Sequence, residues 1–273
     1  MTHTAITLTC TNEIKDILIA ELSEIGFDGF EEQGATLVAY IPANNFDEEA
    51  VNTLTTDYGV TYTSQTVEQE NWNAVWESNF QPVLVDNFCG IRASFHAPFD
   101  PTPLHEVVIT PKMSFGTGHH ATTASMIKLM QGIEFRGKKV FDFGTGTGIL
   151  AILAAKMGAA VIDAIDIDTW SVENTKENIE NNGALAVKVW QSDTLKNIRS
   201  TYNIVLANIN RNILLEFMAD MRRLLERDGI LLLSGILKED EPAILEAARQ
   251  HGLVLETALD KDNWLAMKLL ARK

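Results

Sequence analysis

The stretch Lys139-Val140-Phe141-Asp142-Phe143-Gly144-Thr145-Gly146-Thr147-Gly148-Ile149 decides how this chain is read. Lys139–Phe143 reads as a strand, and Ile149–Met157 as a helix closed by Gly158. Between them, glycine at every second position permits positive φ and lets a ligand approach the backbone. Such a turn serves several nucleotide-like cofactors, so alone it is a weak signal. Its spacing narrows the choice. The dinucleotide fingerprint places its third glycine one position later, where this chain has Ile149. That argues against a nicotinamide oxidoreductase. A tight strand-to-helix turn with no ligand is the bland alternative.

Outward from the turn, strands and helices alternate. Ala160–Ile165, Leu185–Trp190, Tyr202–Ala207 and Ile230–Ser234 read as strands. Trp170–Asn182, Asn212–Arg227 and Glu239–His251 read as helices. Leu253–Ala258 and Trp264–Leu270 read as a closing antiparallel hairpin. Repeated βα units predict a parallel sheet with helices on both faces. In such sheets ligands bind beyond the carboxyl ends of the strands, so the residues just after each strand are the candidates. Asp166 lies 22 residues after Gly144, near the offset of a ribose-binding acid, and a carboxylate there can accept both hydroxyl hydrogen bonds. Asp168 reads as the N-cap of the next helix. Asp193 is placed to meet an adenine edge, with a surface turn as the alternative. Asn208 ends an apolar strand, where cofactor and substrate should meet. Asn210 reads as the following N-cap.

Before the first strand of the sheet comes Phe115-Gly116-Thr117-Gly118-His119-His120-Ala121-Thr122-Thr123. Thr122 and Thr123 fall in the first turn of a helix through Leu129. The paired histidines lack a third ligand at suitable spacing, so no metal is expected. Residues 82–110, with Pro82, Pro98, Pro101 and Pro103, read as a strand-rich lead-in.

The N-terminal segment has the order βαββαβ, as in ferredoxin-like sandwiches. Its first helix carries Ile14, Ile17, Leu18, Leu22 and Ile25 on one stripe, with Asn12 as N-cap and Gly26 as stop. Trp72, Trp76 and Phe80 recur at four-residue spacing and predict a linker helix docked by its aromatic face. The expected organisation is a small domain over 1–68, a linker helix over 69–81, and the sheet domain over 82–273.

The 273 residues carry a net charge of −15, and residues 1–69 hold twelve acidic side chains against Lys15 alone. An acidic surface disfavours direct nucleic-acid binding, which rests on Lys and Arg. It serves solubility, or it matches a basic partner. The two cysteines, Cys10 and Cys89, fit no zinc spacing and read as buried reduced thiols. With no signal segment and no apolar run long enough to span a bilayer, a cytoplasmic protein without membrane contact is expected.

The run Asp142-x-Gly144-x-Gly146-x-Gly148 is similar to motif I of class I methyltransferases, where the amino-acid tail of S-adenosylmethionine would lie. Together with Phe115-Gly-Thr-Gly-x-His-x-Thr-Thr123, Ile165-Asp-Ile-Asp168 and Ala207-Asn-Ile209, it resembles the PrmA family over nearly the whole chain. The family methylates the large-subunit ribosomal protein numbered eleven. The resemblance implies an α/β, class I Rossmann-like fold with a seven-stranded sheet, and S-adenosylmethionine as cofactor. It implies cofactor contacts at Thr123, Gly144, Asp166 and Asn208, to which the reading above adds Asp142, Gly146, Gly148 and Asp193. It also implies that the acidic first domain grips a basic ribosomal protein, and a monomer is expected. Asn208 is the candidate for positioning the amine, and Thr117 and His120 are loop candidates for catalysis. This chain departs from the family at Asn210, often Leu. A methyltransferase of another protein's lysines, or of a small amine, is the rival reading.

Overall fold

The computed structural model describes residues 3–27, 29–33, 36–67, 81–110 and 120–272. The helix expected through Trp72, Trp76 and Phe80 and the loop Phe115–His119, with Thr117, lie outside them. Backbone contacts divide the chain into two compact units, Met1–Asn79 and Phe80–Lys273.

The first unit runs β1 (His3–Thr9), α1 (Asn12–Glu24), β2 (Gly29–Gln33), β3 (Thr36–Pro42), α2 (Glu48–Asp57) and β4 (Thr61–Val67). Its sheet has the order β2-β3-β1-β4 with every pair antiparallel, which is the ferredoxin-like arrangement. The period of two in β3 turns Leu37, Ala39 and Ile41 inward, where they pack with Leu18 and Leu22 of α1 and Val51 and Leu54 of α2. Two readings of α1 need correction. Its N-cap is Thr11, which is still extended (φ −77°, ψ 157°), so Asn12 is already helical. Ile17 is 45% exposed, because the buried stripe centres on Leu18 and Leu22 and the preceding residue sits about 100° away from it. Asp47 caps α2 by accepting from Glu49 and Ala50 N–H at 3.0 and 3.2 Å.

The second unit opens with β5 (Val83–Val85), β6 (Cys89–Ala93) and β7 (His105–Ile109), a small three-stranded sheet in that order. Then come α3 (Ala121–Gln131), β8 (Lys139–Phe143), α4 (Ile149–Lys156), β9 (Val161–Asp166), α5 (Thr169–Asn182), β10 (Val187–Gln191), β11 (Tyr202–Asn208), α6 (Arg211–Leu224), β12 (Leu225–Leu237), α7 (Glu241–Gln250), β13 (Leu253–Lys261) and β14 (Trp264–Ala271). The main sheet is seven-stranded, β10-β9-β8-β11-β12-β14-β13, parallel except at β14.

Both faces of this sheet are covered, which is why its strands read as apolar runs. Val140, Ile162, Ala164, Leu206 and Leu232 face α3, α4 and the small sheet. Their alternates Phe141, Phe143, Val205, Ala207 and Leu233 face α6 and α7. The chain winds outward from β8 to β10, then returns to the other side of β8 as β11. The switch point therefore lies between β8 and β11. No described helix is long and apolar enough to cross a membrane.

Candidate active site

At the switch point Leu206 stands opposite Asp142, and Ala207 opposite Phe143. The glycine turn and Asn208 therefore leave the sheet side by side. Beyond them opens a cleft of about 480 Å³, within the range of small-molecule sites. Of the residues singled out from sequence, Gly144, Gly146, Asp166, Asp193, Asn208 and His120 line it. Asp142, Gly148 and Thr123 are buried and do not line it.

The turn is stitched to the next strand. Gly144 and Thr145 N–H both donate to the Ile165 carbonyl, at 2.9 and 3.0 Å. Gly146 N–H donates to Asp166 Oδ2 at 2.8 Å, and Asp168 N–H to Asp166 Oδ1 at 3.0 Å. Each oxygen of a carboxylate has two lone pairs, so Asp166 can hold the turn and still accept from a ligand. Asp168 caps α5 by accepting from Trp170 N–H at 3.1 Å, and Asn210 caps α6 through Ile213 N–H at 3.2 Å. The two polar residues beside the candidates thus act as helix caps. Asp193 is exposed at the cleft rim.

Asp142 is fully buried, and loss of hydration raises its pKa to about 7; the Thr145 hydroxyl, donating at 2.7 Å, opposes this, and the nearby Asp166 carboxylate adds to it. An unfolded Asp titrates near 4, so between pH 4 and 7 the folded chain holds a proton that the unfolded chain has lost. Stability from this group falls as pH rises through that window, then levels. Asp142→Asn is expected to gain stability over the parent as pH rises from 4 to 7, on the order of 3–4 kcal/mol in full. Urea unfolding of both proteins at several pH values checks this; parallel pH curves would refute it.

Asn208 is buried, and its Nδ2 donates to Thr123 Oγ1 at 3.3 Å. Its Oδ1 is buried with no hydrogen-bond partner among the described residues. The following residue, Ile209, is wedged between two strand ends that carry no side chain. A Cβ on Gly144 (φ +74°) would collide with Ile209 Cγ2, and one on Gly235 (φ +88°) with the Ile209 carbonyl. Glycine at both places lets β11 emerge between its neighbours and sets Asn208 at the cleft. Gly235 follows a predicted strand end as the other candidates do, so the same signal points to it.

His120 is the N-cap of α3: its Nδ1 lies 2.8 Å from Thr122 Oγ1 and accepts from Thr122 N–H at 3.4 Å. Its ring packs edge-on against Trp264, with centroids 4.7 Å apart. Trp264, Ile213 and Phe217 form an apolar wall of the cleft that sequence reading missed. Each lies in an element whose other apolar residues fill the core, so nothing local marks it out. Among the described residues, no three His, Cys, Asp or Glu side chains cluster closely enough to hold a metal ion.

The model of the family Ribosomal protein L11 methyltransferase (PrmA) matches residues 4–272. The chain belongs to the PrmA family. Among its relatives, the ribosomal protein L11 methyltransferase of Porphyromonas gingivalis is 41% identical over 261 residues, covering 93% of this chain and 89% of that protein. The one from Bacteroides fragilis is 39% identical over 268 residues, covering 96% and 95%. A crystal structure of ribosomal protein L11 methylase from Lactobacillus delbrueckii subsp. bulgaricus superposes with a TM-score of 0.65. It is 24% identical and covers 71% of this chain and 100% of that one, which speaks to the fold. As a PrmA member the chain is a methyltransferase, and its cofactor is S-adenosylmethionine.

Proposed function

We propose that this enzyme N-methylates ribosomal protein L11, on lysine side chains and the N-terminal α-amine. The observation that carries this is Asn208 Oδ1, a buried acceptor with no described partner, held at the cleft beside the glycine turn. Such a group is costly unless a donor arrives, and an amine N–H is one. The names of the relatives supply the protein substrate.

The residues fit the cofactor. The cleft is mostly apolar with few polar groups, as nucleoside sites are. Asp166 would accept from the ribose hydroxyls, and Asp193 would meet the adenine edge. Gly144 and Gly146 would flank the amino-acid tail, with Asp142 and Gly148 shaping the turn. Thr123 would act through Asn208. When bound, S-adenosylmethionine supplies an electrophilic methyl on a sulfonium centre.

The chain's own task is to present a neutral amine in line. At pH 7.4 a lysine of pKa ~10.4 is neutral about one part in a thousand, a cost of ~4 kcal/mol. Burial against Ile213, Phe217 and Trp264 would lower that pKa by desolvation. The Asn208 carbonyl would then fix the direction of the nitrogen lone pair by accepting one N–H. No strong base is assigned; His120, with Nδ1 engaged, and Thr117 are the loop groups nearest in sequence.

In this reading the enzyme is a cytoplasmic monomer, and residues 1–68 hold the substrate protein. The excess of acidic residues in 1–69 suits a basic partner. Attraction of this kind raises the association rate and is screened by salt. Raising salt from ~20 to ~300 mM, which shortens the Debye length severalfold, should lower kcat/KM for the protein substrate about tenfold or more with kcat nearly constant. A salt-independent kcat/KM would remove the electrostatic argument. The proposal itself is tested by labelled cofactor with purified ribosomal protein L11, followed by mass spectrometry. Methyl groups on its amines are expected; none, with label on other proteins, would favour the rival substrate.

A further inference from the structure

Helix α5 carries Asn174, Asn178 and Asn182 at four-residue spacing, so they form one stripe. The stripe faces β7, an edge strand of the small sheet. Asn182 takes both backbone groups of Val108: Oδ1 accepts from its N–H at 2.9 Å and Nδ2 donates to its carbonyl at 2.5 Å. Two residues on, Asn178 Oδ1 accepts from Thr110 N–H at 2.7 Å, and Asn174 Nδ2 donates to the Thr110 carbonyl at 3.1 Å. Side-chain amides thus satisfy a strand edge in place of another strand. The same helix face also reaches the glycine turn. Asn178 Nδ2 donates to the Thr147 carbonyl at 2.8 Å, and Thr175 Oγ1 donates to the Gly146 carbonyl at 2.8 Å. Asn174, Thr175 and Asn178 are all fully buried.

We propose that Asn178 and Thr175 are positioning residues for the cofactor, which orient the glycine turn by holding two of its carbonyls. This rests on the placement of S-adenosylmethionine at that turn. In a trans peptide the carbonyl and the following N–H point opposite ways. Tying the Gly146 carbonyl to Thr175 therefore turns the Thr147 N–H to the other side of the loop, and tying the Thr147 carbonyl to Asn178 turns the Gly148 N–H away from α5, where it donates to the Thr145 carbonyl at 2.9 Å and closes the turn. Gly146 N–H is fixed separately by Asp166. The backbone of Gly146 and Thr147 is thus set before a ligand arrives, and less ordering cost falls on binding. Asn178 uses both ends of its amide, so it also ties the turn to Thr110, the last described residue before the Phe115–Thr123 motif.

Calorimetric titration with S-adenosylmethionine, paired with thermal unfolding, tests this. Thr175→Val and Asn178→Ala should each weaken binding about tenfold, the loss expected for a buried carbonyl left unpaired. Thr175→Ser, which keeps the hydroxyl, should restore nearly full affinity. Asn182→Ala loses the two Val108 contacts and a bond to the Asn178 backbone carbonyl, none of which reaches the glycine turn; it should lower the melting midpoint as Asn178→Ala does, yet bind the cofactor normally. Wild-type affinity in a folded Thr175→Val, or equal weakening by Asn182→Ala, would overturn the proposal. Asp166→Ala separates the two levels. If it too binds normally, the cofactor placement fails and the inference with it; if it binds weakly while Thr175→Val does not, the positioning role alone is wrong.

Discussion

Asp166→Ala is expected to weaken S-adenosylmethionine binding by about 100-fold or more. The carboxylate would accept two ribose hydroxyls, and hydrogen bonds to a charged group contribute about 1.5–3 kcal/mol each. The variant also frees Gly146 N–H, which Asp166 Oδ2 holds at 2.8 Å. Both losses act in the same direction. Asp166→Asn should fall between, because an amide keeps one acceptor and similar shape but loses the charge. Calorimetry gives the affinities directly. An Asp166→Ala protein that binds within about threefold of the parent, less than one such bond, would move the ribose site elsewhere.

Asn208→Ala is expected to lower kcat about 100-fold, close to 2.7 kcal/mol of barrier, with a smaller effect on cofactor affinity. The asymmetry follows from geometry. Asn208 Nδ2 is bonded to Thr123 Oγ1 at 3.3 Å, so the amide is held with Oδ1 as its remaining acceptor. In the proposed mechanism that acceptor meets the amine only when substrate is aligned for attack. Thr123→Val removes the hydroxyl that orients the amide and should lower kcat about tenfold, while Thr123→Ser should preserve it; a lost neutral hydrogen bond is of that size. Steady-state kinetics with the protein substrate, beside cofactor titration, distinguish these effects. Near-parent turnover by Asn208→Ala would remove the residue from the reaction.

The candidate site residues legible in the sequence share one property. Asp142, Gly144, Asp166 and Asn208 each sit at a strand's carboxyl end, and in a doubly wound sheet those ends meet at the switch point. Strand periodicity locates the ends, so the candidates follow without coordinates. The caps Asp168 and Asn210 were legible for a similar reason, since capping is a contact within one turn of chain. Thr11 displaced Asn12 as the first cap because two good capping residues were adjacent and only backbone dihedrals separate them.

What sequence by itself determined, then, was the sheet, its winding, and the polar residues its geometry must bring together. Tertiary structure alone decided what those residues touch. The four-residue spacing of Asn174, Asn178 and Asn182 marks only one polar stripe of a helix, and the structure binds that stripe to backbone about 70 positions away, at Val108 and Thr110. Trp264 and Phe217 wall the cleft, although the other apolar residues of their elements fill the core. Ile209 between Gly144 and Gly235 is a contact among three strand ends far apart in the chain. Periodicity records which face of an element is apolar or polar. It carries no record of which distant backbone group that face will meet, because the partner is fixed only when the elements pack.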